Sequence, residues 1–382
     1  MILPEWLLLV SLLFVGYVYL GYPAMARAMA WVLARKVEKS AIEPHVTVLT
    51  AAYNEEEYIG ETIRNKLALD YPREKLEIIV ISDASNDATD EIVRGYESEG
   101  VRLLRHETRA GKTSALNLAV PVARGEILIF SDANSIYDRQ ALRRILENFH
   151  DPKVGYVTGK MIYANPGQSA SGDGCGAYMR YENGLREIET FLGSVVGVDG
   201  GIDAVRKSLY RPMAPDQISD FILPLKVVEQ GFRVVYEPAA MVRENALKRG
   251  EEEYRMRVRV SLRSLWALWE MRHLLIPWKY GVFAWQLISH KVMRYLCFLF
   301  LLGAFVCNLM VWNEGLLYKI LLVLQCIAYL SAWISWRLEK KGARVKPLFL
   351  PYYFVLVNLA AAHAFLKFVL GRKQPIWTPR KG

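Results

Sequence analysis

The chain has 382 residues, of which 53% are hydrophobic, and a formal net charge of +9. That is too apolar for a disordered chain, and the apolar residues concentrate at the N-terminus and beyond about residue 280, which excludes a uniformly soluble one. Much of the basic excess flanks those apolar stretches, where it meets anionic headgroups, so the charge calls for no nucleic-acid partner.

The first predicted element runs from Leu3 to about Ala30 and is long enough to span a bilayer. A cleaved signal peptide is the competing reading, because Ala-x-Ala patterns follow the apolar run. However, Glu5 rather than Lys or Arg precedes the run, and Arg27, Arg35, Lys36 and Lys39 come after it. The positive-inside rule then puts the N-terminus outside and the next domain in the cytosol, with a retained anchor over residues 1–33.

From His45 onward, short apolar runs alternate with helix-length amphipathic ones. HVTVLTAAY, LEIIVISDA, VRLLRH and EILIFSDA read as buried strands; EEYIGETIRNKLAL, DATDEIVRGYESE and KTSALNLAV read as the helices among them. This rhythm predicts an α/β domain over residues 44–250 with a Rossmann-like, mostly parallel sheet covered on both faces. Such sheets bind ligands at the C-terminal ends of their strands. Asn54 and Glu55, Asp83, the loop before Lys112, and Asp132 with Asn134 all fall at such ends. They are expected to share one site, while Asp87 and Thr89 read as helix caps.

Gly111-Lys112-Thr113 looks like the end of a phosphate-binding G-x-x-x-x-G-K-[ST] loop. The first glycine position is His106, and the stretch follows the third strand instead of the first, which argues against an NTPase. Lys112 is read instead as a point charge at a helix N-terminus. The glycine-rich SGDGCG at 171–176 has no strand leading into it and is expected to be a flexible loop.

Asp132 emerges from an apolar strand, with Asn134 two residues on. Such a carboxylate needs a counter-charge, and a hard divalent cation, Mg²⁺ or Mn²⁺, bridging to a substrate phosphate would supply it. The alternative is that Asp132 caps the next helix. Asp220 opens an amphipathic helix, where it is a favourable N-terminal acid or, if folded opposite Asp132, a general base.

Residues 251–290 read as interfacial helices. Arg255, Arg257, Arg259 and Arg263 share them with Trp266 and Trp269, so this segment rests on headgroups, clamps a pyrophosphate, or does both on different faces. Three further spans are expected within 291–372: from near Lys291 to Val311, from Leu316 to about Trp336, and from Leu348 to Leu370. His290, Lys291 and Arg294 at the entry of the first are read as snorkelling to the interface. The loop RLEKKGARVK carries five basic residues and should be cytosolic. A simple count then puts the basic tail 373–382 outside, against its charge, unless Pro347 and Pro351 make the last segment tilted or re-entrant. Cys175, Cys297, Cys307 and Cys326 lack metal or C-x-x-C spacing and are read as packing residues.

In order, VLTAAYNEEEYI, ISDASNDATDEI, RAGKTSALN, FSDANS, GVDGGIDAVRKSLY, SDFILPLKVVEQGFRVVYEP and RMRVRVSLRS resemble the family 2 glycosyltransferases. The likeness is to the membrane-embedded branch that includes cellulose, chitin-oligosaccharide, poly-N-acetylglucosamine and hyaluronan synthases, and it covers about residues 44–265. It implies a GT-A fold, a nucleotide-sugar donor (commonly a UDP-sugar), a divalent cation and inverting single displacement. It also implies a polysaccharide or lipid-linked acceptor and a cytosolic catalytic domain on the cell membrane. By resemblance, Ala52, Asn54 and Glu55 line the nucleotide, Asp83 contacts the base and Lys112 lies near the donor. Asp132 and Asn134 match the metal-binding D-x-D, and Gly200, Gly201 and Arg206 the acceptor loop. Asp220 matches the catalytic base, and Arg257 and Arg259 the arginines beside the pyrophosphate.

Three departures matter. Asn134 replaces the second acid of D-x-D, Ser219 replaces the acid before Asp220, and Met256-Arg257-Val258-Arg259-Val260 stands for Q-R-x-R-W. Val260 takes the place of the tryptophan that helps processive synthases hold their polymer, which favours one-sugar transfer. A processive synthase and a catalytically inactive nucleotide-binding scaffold are the alternatives.

Overall fold

The structure is a computed structural model that describes residues 2–163, 170–245, 249–343 and 345–374; the basic tail from 375 onward lies outside the described residues. Its centre is one eight-stranded sheet: β1 (Val46–Ala52), β2 (Leu76–Ser82), β3 (Val101–Arg105), β4 (Ile127–Asp132), β5 (Ile136–Tyr137), β6 (Val154–Tyr163), β7 (Ile202–Arg206) and β8 (Arg233–Glu244). The spatial order is β3-β2-β1-β4-β7-β6-β8-β5. The first four strands are mutually parallel, β7 runs antiparallel between β4 and β6, and β6 pairs parallel with β8.

Side chains alternate along these strands, so both faces become core. Leu49, Ile79, Ile81, Leu128 and Phe130 point to one face, and Val48, Ile78, Val80 and Ile129 to the other. The helices of this region are α3 (Ile59–Leu67), α4 (Thr89–Arg94), α5 (Lys112–Ala119), α6 (Ala141–Glu147), α7 (Ala170–Leu192), α8 (Ser219–Glu229) and α9 (Gly250–Glu270), after α1 (Leu3–Gly16) and α2 (Tyr22–Leu33) at the N-terminal end. The first core holds residues of α5, α8 and the end of α9, the second residues of α3 and α6.

The chain closes with α10 (Pro277–Leu287), α11 (Met293–Met310), α12 (Leu316–Lys340) and α13 (Phe349–Val369). Among the described residues, four helical stretches are long and apolar enough to cross a membrane: Leu3–Leu33, Pro277–Met310, Leu316–Lys340 and Lys346–Val369. The second begins well before Lys291, because α10, bent at Gly281, passes into α11 through a π-helical turn with no loop between them.

Three expectations change. SGDGCG is part of α7 and not a loop; Gly174 there lets Tyr353 of α13 approach to where a Cβ would stand only 2.5 Å away. The segment after Gly250 does not simply lie on a lipid surface. Trp269 and Trp278 are exposed, but Leu262, Ala267 and Leu268 are buried against the core and α13. Nor do His290 and Arg294 snorkel: His290 bridges Glu189 (2.6 Å) and Glu182 (3.1 Å), and Arg294 pairs with Glu182. Both acids come from α7, so a buried polar network joins the sheet domain to a membrane helix.

Candidate functional site

The C-terminal ends of β1, β2 and β4 meet at one edge. Asn54 leaves β1 in the left-handed region (φ +54°), an unusual conformation for a residue with a Cβ. Its amide donates to Ser85 Oγ (3.1 Å) and its Oδ1 accepts from the Asn86 amide (3.0 Å), stitching this turn to the one after β2. The Glu55 amide donates to Thr89 Oγ1 (2.8 Å), which leaves the buried Glu55 side chain directed into the edge cleft. Ala52, at the end of β1, is fully buried beneath it.

Asp83 is fully buried too. Its oxygens accept from the Ala110 and Gly111 amides (both 2.8 Å) and face His106 Nδ1 at 3.1 Å. Asp83, expected at a nucleotide base, braces the turn that presents Lys112. That turn needs Gly111 at φ +91°, and Lys112 is the first residue of α5.

Lys112 Nζ lies 2.6 Å from Asp132 Oδ1 and 3.5 Å from Asp220 Oδ1. Side chains from β4 and α8, 88 residues apart in the chain, are thereby joined through one ammonium. Burial opposes the charge on Lys112, but Asp132 and Asp220 outweigh it and hold its pKa above the ordinary lysine value. Asp220 sits in the first turn of α8, where Ser219 Oγ donates to it at 2.9 Å. Behind it, Gly200 (φ +86°) leaves the space its carboxylate occupies: a Cβ there would meet Asp220 Oδ2 at 2.6 Å.

Two cavities meet at Asp220. The smaller, about 80 Å³, is lined by Glu55, Lys112, Asp132, Asn134, Asp220 and Arg259, among others. The larger, about 440 Å³, shares Ile218, Asp220 and Val260 with the first and runs on to Tyr19, Tyr295 and Phe354 of the membrane helices. Only the larger falls in the range of ligand pockets, roughly 300–1,000 Å³; the smaller is a polar throat beside it.

The two arginines of the Met-Arg-Val-Arg-Val stretch part company. Arg259 lines the throat, whereas Arg257 lines the larger cavity, paired with Glu253 (2.8 Å) and donating to Tyr353 Oη (2.6 Å). Arg206 is not brought to the site. It donates to the carbonyls of Val154, Phe149 and Asp151 at the opposite end of its strand, so its work is structural. Gly201 faces Glu244 and Met161, not Asp220.

Sequence reasoning singled out Arg263 without finding what it holds, and missed Asp203. Arg263 donates to the carbonyls of Asp216 (3.1 Å), Pro215 (3.2 Å) and Gln217, which holds the loop leading into α8. Asp203, mid-strand in β7 opposite Phe130 and Thr158, is 1% exposed, and neither of its oxygens has a well-aligned hydrogen-bond partner among the described residues. Burial and then the Asp220 charge push its carboxyl up to about 8, with the Thr158 and Tyr156 hydroxyls offsetting this only in part. The signal was an acid inside the otherwise apolar run Ile202–Val205.

Among the described residues, no three His, Cys, Asp or Glu side chains converge as a metal cage. Asp132 and Asn134 line the throat and could contribute protein oxygens to a hard cation whose other ligands are phosphates and water, an arrangement Mg²⁺-type ions commonly adopt.

Comparison with known proteins agrees with this architecture. Residues 47–201 match the family Glycosyl transferase family 2. A poly-beta-1,6-N-acetyl-D-glucosamine synthase of Staphylococcus aureus is 33% identical over 202 residues, 51% of this chain and 48% of the relative. A beta-monoglucosyldiacylglycerol synthase of Trichormus variabilis is 32% identical over 168 residues, 43% of this chain and 36% of the relative. The matches thus span about half the length of the first relative and less of the second. Among solved structures, the mannosyltransferase PcManGT from Pyrobaculum calidifontis, in complex with GDP-Man and Mn²⁺, superposes with a TM-score of 0.71 at 22% identity, covering 96% of this chain and 99% of its own. That likeness is one of fold and takes in the membrane helices as well as the sheet. Residues 47–201 therefore match a glycosyltransferase family 2 domain, within a chain of GT-A-like fold.

Proposed function

We propose that this chain is a membrane-bound, inverting glycosyltransferase. It moves one sugar from a nucleotide-sugar donor, with a divalent cation, to an acceptor held in the larger cavity, and its sheet domain lies on the cytosolic face. The reading rests on the place of Asp220 in the wall common to both cavities. On one side stand groups suited to a diphosphate, Lys112, Arg259 and Asp132; on the other is a ligand-sized space reaching the membrane helices. The cation bound by PcManGT and the basic residues Arg35, Lys36, Lys39, Lys340 and Lys341 beside the candidate spans support the cation and the sidedness.

Without donor, Lys112 draws Asp132 and Asp220 into one ion-paired cluster. An arriving diphosphate competes for that ammonium, and Arg259 adds a second set of donors. Asp220 is then released to accept the proton of the acceptor hydroxyl as that oxygen attacks the anomeric carbon. The bond from that carbon to the phosphate oxygen breaks, and the nucleoside diphosphate leaves from the throat. Asp132 and Asn134 would hold a divalent cation, which would lend Lewis-acid charge to the leaving group.

Asp220→Asn is expected to lower transfer by about 10²–10⁴-fold while nucleotide binding persists, as read by titration calorimetry and a transfer assay. Near-normal turnover in that variant would remove Asp220 as base. Processive synthesis is the second reading, favoured by the name of the Staphylococcus relative and by the reach of the larger cavity. Val260 stands at the shared wall and offers no ring for a terminal sugar to stack on, which supports single transfer. A screen of UDP- and GDP-sugars with membrane extract, read by mass spectrometry, decides: one mass increment for single transfer, a ladder for a polymerase.

A further inference from the structure

The larger cavity has two unlike ends. At one lies Asp220; at the other Leu350, Phe354, Val357 and Ala361 of α13 form an apolar wall within a candidate membrane span. A ligand that fills it is apolar where it meets α13 and reactive where it meets Asp220, which describes an amphiphile standing in the bilayer.

The charges narrow its headgroup. Four cationic side chains line the cavity: Arg186, Arg257, Lys291 and Arg294. Three are already neutralised inside the protein, Arg186 by Asp199 (2.6 Å), Arg257 by Glu253 (2.8 Å) and Arg294 by Glu182. Lys291 has no hydrogen bond or ion pair among the described residues; its nearest ring is Phe221, next to Asp220, at 5.9 Å. A lysine within an apolar span is costly unless something anionic or wet meets it, and three donors are left to satisfy.

Its position is specific. The ammonium is seated against Gly197, so closely that a Cβ there would overlap it, and Gly197 belongs to the same loop as Gly200, which backs Asp220. The charge is therefore turned toward the reacting end of the cavity and away from the lipid boundary.

We propose that this cavity binds the phosphate-bearing headgroup of a lipid acceptor, with Lys291 as its cationic contact. The assignment rests on the glycosyltransferase reading and names its acceptor class. A neutral glycolipid would leave the ammonium of Lys291 without a direct anionic contact, since Glu182 and Glu189 act on it only from beyond ion-pair range. A phosphate monoester or diester one chain length from Asp220 satisfies it, and the acyl or prenyl part lies along α13.

The test uses the full chain in maltoside detergent micelles, which carry no phosphate, without donor, titrated with radiolabelled dodecyl phosphate, dodecanol and inorganic phosphate. Dodecyl phosphate is expected to bind at least about tenfold more tightly than dodecanol, as one charge-assisted contact requires. Lys291→Met should abolish the preference and Lys291→Arg should keep it. Nucleotide affinity and the thermal midpoint, measured on both variants, report whether either has merely unfolded; if Lys291→Met has, the wild-type comparison and Lys291→Gln decide. Equal binding of the two amphiphiles by the wild type, or a preference that survives a folded Lys291→Met, overturns the proposal. Inorganic phosphate binding as tightly as dodecyl phosphate also overturns it, because the site would then take a free anion. Failure here with sugar transfer intact removes only the lipid-phosphate assignment; failure of every donor in the transfer screen removes the glycosyltransferase reading itself.

Discussion

Burial sets Asp203 apart from the two acids that meet Lys112. Asp132 and Asp220 are partly open and share the ammonium, whereas Asp203 lies in the middle of the sheet with no well-aligned donor among the described residues. Its carboxyl, raised to about 8 by burial and by Asp220, is protonated at neutral pH. In the unfolded chain the same group titrates near 3.9. Between roughly pH 4 and pH 8 the folded protein thus holds a proton that the unfolded chain has released. Stability then falls as pH rises, by on the order of 1.4 kcal/mol per pH unit, and levels off above the folded value. Asp203→Asn keeps the shape and removes the charge. Its thermal midpoint is expected to exceed that of the wild type by an amount that widens from pH 5 to pH 8, measured by scanning fluorimetry in detergent. An equal gap at both pH values would mean that Asp203 is charged in the folded protein. Residues such as Lys112, Asp132 and Asn134 were legible because each follows a strand or a turn whose type the sequence announces. Asp203 was not, since one acid in a short strand reads the same whether it faces water or the core.

At the scale of elements, what could be read depended on periodicity. β1 to β4 and the helices between them stood out because apolar runs of strand length alternate with amphipathic ones. β7 and α7 did not. β7 is five residues long with an acid inside it, and α7 opens with three glycines that lower helix propensity by about 1 kcal/mol each relative to alanine. Packing against the membrane helices outweighs that deficit: Gly174 is small because Tyr353 sits on it. α9 was legible as a helix but not as to what its arginines touch. Arg259 faces the throat, and Arg263, one turn on, grips three carbonyls of the loop that leads into α8. Arg263→Gln should therefore act on catalysis through the placement of Asp220. Losing charged hydrogen bonds of this kind costs about 1.5–3 kcal/mol, so a lowered thermal midpoint is expected. The turnover number should fall by more than the nucleotide affinity does. A fall in nucleotide affinity alone would show that Arg263 contacts the donor and is no positioning residue.

For the molecule as a whole, the sheet domain and the membrane helices form one packed body, joined in two ways. The first is polar: Glu182 and Glu189 of α7 meet His290 and Arg294, and Tyr22 of α2 donates to Glu189. Hydropathy located the spans but could not reveal this network, since a His, Lys and Arg at the start of a span look the same whether they reach outward to headgroups or inward to acids far away in the chain. The second is steric. α13 lies against α7, α9, α11 and α12, and it supplies the apolar wall of the larger cavity. Among the described residues the throat takes no wall from α13, drawing instead on strand ends, α5, α8 and α9. Displacing α13 should therefore separate the two halves of the reaction. Gly174→Leu does this directly: its Cβ would stand 2.5 Å from Tyr353 Cβ, and both atoms ride on helix backbones that cannot turn aside. The variant is expected to keep nucleotide affinity within about threefold and to retain slow donor hydrolysis, while transfer to acceptor falls by at least about tenfold, as loss of a positioned reactant implies. Parallel calorimetry, donor-hydrolysis and transfer assays on one preparation read all three. Equal loss of all three would mean that the cavities do not function apart, and retention of transfer would mean that the acceptor does not lie along α13.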